Sequence, residues 1–170
     1  MDKFVVDAGP FIHLDQIHQL TLLRKLPILF VPTSVVSEIQ YETMNPSLKT
    51  MKRWSNVKII SVRKKSIVLL NSIIEESGLQ QGEIDCLYLA DRLQPCVFLT
   101  DDLAARQTAE RLQFEVHGSV GLIAYGVKKH WIPVKKAIEA LDMLYEQSSL
   151  FITYAIIESA MRSLKNFENA

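Results

Sequence analysis

Apolar residues along the chain come in short, nearly continuous runs, separated by longer stretches in which they recur every three or four positions. The runs FVV (4–6), ILFV (28–31), VKIISV (57–62), CVFLT (96–100) and FEVH (114–117) predict strands. The intervals predict helices over about 10–25, 33–44, 47–55, 65–77, 81–93, 102–112 and 119–130, with two more after Pro133. Apolar strands alternating with helices imply an α/β protein with a mainly parallel sheet of about five strands, covered on both faces. No internal repeat, low-complexity tract or linker interrupts this order. Beyond residue 133 the pattern is helical only. Its final segment, LFITYAIIESAMRSL, carries more apolar surface than a lone surface helix needs, so it either closes over the sheet or buries itself against a second copy in a homodimer.

Composition narrows the class. With 170 residues, 48% of them apolar, and six Gly and six Pro, the chain suits one compact domain with a substantial core. No apolar stretch approaches the roughly 18 residues of a membrane span, and the N-terminus lacks the basic-then-apolar order of a signal peptide, so the expectation is a soluble, cytoplasmic protein with no membrane partner. Cys86 and Cys96 have neither CxxC spacing nor a ligand-spaced histidine, and read as small buried hydrophobes. Nineteen basic and 19 acidic residues cancel, but their distribution is uneven. Lys49, Lys52, Arg53, Lys58, Arg63, Lys64 and Lys65 follow one another without an acid between them, with Trp54 in their midst. Such a stretch is either a solvated face or a surface that neutralises phosphates and offers a base a ring to stack on.

The candidate chemistry lies in acids at the ends of strands. In an open α/β sheet, ligands gather beyond the carboxyl ends of the strands. Asp7 follows FVV directly, and Asp101 and Asp102 follow CVFLT. Glu38 lies about 7 Å into a helix that Thr33 or Ser34 can cap at the end of ILFV. Asp85 opens a helix that must run back before CVFLT can start. Four segments thus deliver an acid to one rim, at sequence separations of 31, 47 and 17 (7 to 38, 38 to 85, 85 to 102). Each acid alone has a plain structural role available. Asp7 and Asp102 can cap helices, Glu38 can pair with a base, Asp85 can satisfy helix amides, and Arg106 stands four positions after Asp102 for an ion pair. Together the acids repel one another in apolar surroundings, and a cation is the natural compensation. Oxygen donors without a histidine or cysteine constellation suit a hard ion, Mg2+ or Mn2+, and such ions work on phosphates, so the expected chemistry is phosphodiester hydrolysis.

The ordered set VVDAGPFIHL, VPTSVVSEI, GEIDCLYLA, LTDDLAARQTA and HGSVGLIAYGVKKHWI resembles the PIN-domain ribonucleases, in particular a VapC-like prokaryotic subgroup that carries DDxxAR. The resemblance implies a PIN-like α/β/α sandwich over residues 1–133, with residues 134–170 as a helical extension on the same domain. It also implies a Mg2+- or Mn2+-dependent endoribonuclease acting on single-stranded RNA, whether a housekeeping enzyme or a toxin with an antitoxin protein as partner. Carried over by position, Asp7, Glu38, Asp85 and Asp102 would be the catalytic, metal-holding acids. Thr100 would orient a carboxylate or a water, and Asp101 competes with Asp102 for the fourth place. Glu83 points elsewhere on its helix and reads as a supporting or capping group, while Arg106 either pairs with Asp102 or reaches substrate phosphate. The basic stretch, with Lys128 and Lys129, would meet the RNA backbone.

Other readings compete. His13 and His18, six and eleven positions after Asp7, read as partly exposed helix residues rather than a general base. A phosphatase with Asp7 as nucleophile would want an acid two positions on, where Gly9 stands. A PIN-fold scaffold that binds RNA or protein with weak or lost catalysis is the alternative from another class.

Overall fold

The structure, a computed structural model, describes residues 2–42, 48, 50–63 and 68–168. Five strands, β1 (Lys3–Val6), β2 (Ile28–Pro32), β3 (Val57–Ile60), β4 (Val97–Leu99) and β5 (Glu115–His117), form one sheet in the order β3-β2-β1-β4-β5. Every pairing is parallel, with Val5 opposite Phe30 and Phe98, and Phe98 opposite Val116. All five strands therefore end at the same edge, with Asp7, Thr33, Ser61, Thr100 and Gly118 directly beyond it. The central strands are sealed on both faces: Val5, Val6, Leu29, Val31 and Phe98 are buried, as continuous apolar runs require.

Nine helices are described: α1 (Ala8–Gln16), α2 (Thr21–Lys25), α3 (Thr33–Glu42), α4 (Val68–Glu75), α5 (Gln81–Leu93), α6 (Leu103–Arg111), α7 (Ser119–Lys128), α8 (Val134–Glu146) and α9 (Tyr154–Glu168). The chain steps from β1 to β2 in one direction and from β4 to β5 in the other, so right-handed crossovers put α1 and α6 on opposite faces of the sheet. Burying Phe11 of α1 and the other large side chains of this core contributes about 1.5–3 kcal/mol each. That core is what tolerates a polar rim.

Three helix boundaries depart from the apolar pattern. The helix expected over 10–25 is two, because His18 adopts φ of 57° after Ile17 and turns the chain out of the helical path. His18 is thus a turn residue, not a helical one. Of the helix expected over 47–55, residues 47 and 49 lie outside the described residues, Leu48 is helical, and a 3₁₀ turn at Met51–Arg53 ties Trp54 into the start of β3. Residues 65–67 of the helix expected over 65–77 lie outside the described residues, and α4 ends at Glu75. The C-terminal segment closes over helices rather than the sheet. Ile157, Met161 and Leu164 are buried where α9 meets α7 and α8, while Phe151, Tyr154, Ile156 and Phe167 stay exposed. Cys86 and Cys96 are free and buried, as their spacing suggested. No helix among the described residues is long and apolar enough to cross a membrane.

Candidate active site

Asp7 occupies the N-cap position of α1, but its side chain makes no capping hydrogen bond. The Asp7 amide is held by the Leu99 carbonyl at 3.0 Å, and Thr100 Oγ1 donates to Oδ2 at 2.9 Å. The other oxygen, Oδ1, is buried with no hydrogen-bond partner. The residue is only 4% exposed. Burial, more than anything else, pushes its carboxyl from 3.8 up to about 7; the Ala8 amide and Thr100 hydroxyl oppose this, and the charges of Glu38 and Asp102 add to it.

Two helices bring the next acids. Gly82, in the first turn of α5, is where they converge: a methyl group there would stand 2.7 Å from Glu38 Oε2 and 4.0 Å from Asp7 Oδ1. The absence of a side chain at Gly82 lets Glu38 cross from α3 toward Asp7. Asp85, one turn into α5 and 8% exposed, accepts from Gln81 Nε2 at 2.6 Å and from Ser34 Oγ at 2.7 Å. Ser34 therefore serves as a brace between α3 and α5 rather than the cap its sequence suggested, and Asp85 is held by side chains rather than helix amides. Glu83 does cap, accepting from the Gln80 amide at 2.7 Å. Burial, more than the charges of Asp102 and Asp7, raises its carboxyl to about 7 against the pull of the Gln80 amide. The buried Cys86 thiol beneath them is driven well above its usual range by burial and by the same ring of acids.

The doubled acid divides its labour. Asp101 accepts from the Ser119 amide and the Ser119 hydroxyl, both at 2.6 Å, and from His13 Nδ1 at 2.8 Å. It ties α1 and the start of α7 to the end of β4. Asp102 caps α6 by accepting from the Ala105 amide at 2.7 Å, and its own amide is held by Thr100 Oγ1 at 3.2 Å. Its charge acts on both Asp7 and Glu83. Of the two, Asp102 belongs electrostatically to the acid rim. The Arg106–Asp102 ion pair does not form: long helical side chains lean toward the N-terminus, and Arg106 passes Asp102 to donate Nη2 to the Thr100 carbonyl at 3.2 Å. The His13 contact was missed, since the sequence showed only a histidine on an amphipathic helix.

The basic candidates are scattered. Lys52 and Arg53 are exposed in the turn before β3, at the sheet edge opposite the acids. Trp54 is half-buried beside Phe11, centroids 6.1 Å apart, with the Arg24 guanidinium 4.5 Å from its ring centre, so its faces are occupied rather than open to a base. Lys128 and Lys129, at the C-terminal end of α7, also lie away from the rim. Among the described residues of that stretch, only Arg63 follows a strand toward the acid edge. Lys49, Lys64 and Lys65 lie outside the described residues. A cleft of about 640 Å3 between α7 and the β4–β5 side of the sheet, lined by Phe4, Val97, Leu99 and Tyr125, includes none of the four rim acids.

The donor set fits a hard cation. It is all oxygen, and one buried carboxylate oxygen lacks any other partner. Among the described residues, as they stand here, no three His, Cys, Asp or Glu side chains are grouped so that they could hold a metal ion. A parallel α/β sheet with acids from four segments at its carboxyl edge defines a protein built for ligands at that edge. The family follows directly: a family model described as a PIN domain matches residues 3–166, and the chain belongs to that family. PIN domains are generally nucleases and typically use divalent metals. No curated protein matches the chain.

Proposed function

We propose that this chain is a Mg2+- or Mn2+-dependent endoribonuclease of the VapC-like, DDxxAR-containing kind, hydrolysing single-stranded RNA. The observation that carries the reading is Asp7 Oδ1, a buried carboxylate oxygen without a partner, facing the side from which Glu38 arrives. A buried carboxylate oxygen left without a partner calls for an explanation, and a cation at this edge would supply one. Asp7, Glu38, Asp85 and Asp102 would hold the ion, which when bound lowers the pKa of an attacking water and neutralises charge building on the phosphate.

The chain's own residues do the rest. Thr100 fixes Asp7 so that Oδ1 stays turned outward from its hydroxyl, while Ser34 and Gln81 fix Asp85. Asp7, with its carboxyl near 7, gives up its proton as the cation arrives, so affinity for the ion rises with pH across neutrality. We extend the reading to the toxin of a toxin–antitoxin pair, for which a small antitoxin gene beside this one is the expected sign.

The test is incubation of structured and unstructured RNAs with the protein in Mg2+, in Mn2+ and in chelator. Cleavage of unstructured RNA should need the metal and disappear in Asp7→Asn and Asp85→Asn. A wild-type protein that cuts nothing in either metal, yet binds RNA, would be a scaffold and not a nuclease.

A further inference from the structure

Arg106 is a cation among acids with no carboxylate of its own. From the second turn of α6 its side chain leans back to the Thr100 carbonyl, 3.2 Å from Nη2. It enters the crevice between the ends of β4 and β5, where a methyl group on Gly118 would lie 2.6 Å from Nη2 and also 2.6 Å from Asp101 Oδ1, so that carboxylate is its neighbour though not an ion-pair partner. The nearby acids are already engaged: both Asp101 oxygens by Ser119 and His13, and Asp102 Oδ1 by the Ala105 amide. None of the ion pairs among the described residues includes Arg106. Arg106 is partly exposed, and with one carbonyl to serve its guanidinium keeps most of its five donors. A planar fork of this kind matches a phosphate better than any other common anion except a carboxylate, and the local carboxylates are taken.

We propose that Arg106 binds one backbone phosphate of the single-stranded RNA, on the β5 side of the bond to be cut; this rests on the ribonuclease reading. Strands of a sheet lie about 4.8 Å apart, so the β4–β5 crevice is roughly 7 Å from the end of β1 and Asp7, within one nucleotide of extended strand. The end of β3, which Arg63 follows by three residues, lies roughly 10 Å the other way. With cations on both flanks of the acids, the RNA crosses the strand ends from β3 toward β5.

The test measures anisotropy of a labelled unstructured octaribonucleotide in chelator, so that it binds uncut, over a series of salt concentrations. Arg106→Ala should bind about tenfold more weakly, and its plot of log affinity against log salt should be shallower by about 0.7, the share of one phosphate on a single strand. The loss should be equal for two unrelated sequences and for any binding to the matching DNA, because a phosphate carries no sequence. Arg106→Lys should restore the slope without the full affinity. In Mg2+ the substitution should raise KM more than it lowers kcat, and the rise in melting temperature on adding Mn2+ should match the wild type. An unchanged salt slope, a sequence-dependent loss, or a lost Mn2+ response in both variants would overturn the proposal, the last by showing that Arg106 acts through Thr100 on the acids. If the wild type cleaves RNA and Arg106→Ala matches it in affinity and slope, the phosphate contact alone fails. If the wild type neither binds nor cleaves RNA, the ribonuclease reading fails with it.

Discussion

Asp7→Asn should stabilise the metal-free protein near neutrality while removing its response to divalent metal. The unfolded chain ionises this carboxyl near 3.8, whereas burial holds it at about 7 in the folded protein. Between those values the native state keeps a proton that the unfolded state has released. The associated stability is therefore fully present below about pH 4 and is lost as pH rises through 7. A displacement of about three pH units, at about 1.4 kcal/mol each, amounts to about 4 kcal/mol at pH 8. For a chain of this size that corresponds to roughly 8–16 °C in melting temperature. Asparagine has the same shape, still accepts from Thr100 and carries no charge to bury. Thermal melts of both proteins in chelator from pH 4.5 to 8 should start close together and diverge, the wild type falling behind. Mn2+ at pH 8 should then raise the wild type by mass action and leave Asp7→Asn unmoved. Melting curves that stay parallel across the range, or an Asp7→Asn protein that is the less stable at pH 8, would refute the assignment of the buried charge.

Gly82→Ala should gain up to about 1 kcal/mol of helix propensity yet weaken Mn2+ binding at least tenfold, because the added methyl would stand 2.7 Å from Glu38 Oε2 and 3.4 Å from Val35 Cγ2. Mn2+ titrations of the melting temperature check this, and an unaltered response would show that Glu38 is free to move aside. Asp101→Asn and Asp102→Asn should separate a structural acid from a metal-holding one. The first should lose about 2–4 kcal/mol, since it mismatches the bonds from His13 and Ser119, but keep the Mn2+ response. The second should lose little stability, since asparagine caps a helix about as well as aspartate, but lose much of the Mn2+ response. The reverse pattern would make Asp101 the ligand.

The strands and the acid edge were legible because both follow from topology. A buried parallel strand must be apolar throughout, and a polar residue that ends it is carried to the common edge whatever its neighbours are. Asp7 and Asp102 were placed at that edge by this logic, and Glu38 and Asp85 by where their helices begin relative to it. Contacts that depend on side-chain direction were not legible. Asp101 and His13 meet across 88 positions, with nothing in either local pattern to pair them. Arg106 stands at the spacing that suggests an ion pair with Asp102, but helical side chains lean backward and this one overshoots to Thr100. Trp54 stands among basic residues, where a stacking ring was one of two readings, yet the 3₁₀ turn and Arg24 fold it against Phe11.

The zero net charge of the chain conceals a separation of charge that bears on how the site fills. The acids gather at the carboxyl edge of the sheet, whereas Lys52, Arg53, Arg24, Lys25, Lys128 and Lys129 lie toward the opposite edge on the ends of the 3₁₀ turn, α2 and α7. Lys25 Nζ donates to the Trp131 carbonyl at 3.2 Å, and Arg24 covers Trp54, which links these three segments into one basic end. A polyanion meeting the metal-free protein still reaches the rim, but against the repulsion of the uncompensated acids, and so binds there more weakly than with metal. Loading divalent cations onto Asp7 and its neighbours removes that repulsion and leaves Arg106 and Arg63 to act on the phosphates beside it. Under the ribonuclease reading, metal and RNA therefore favour each other's binding by a shared electrostatic coupling, and by linkage the effect must be equal in both directions.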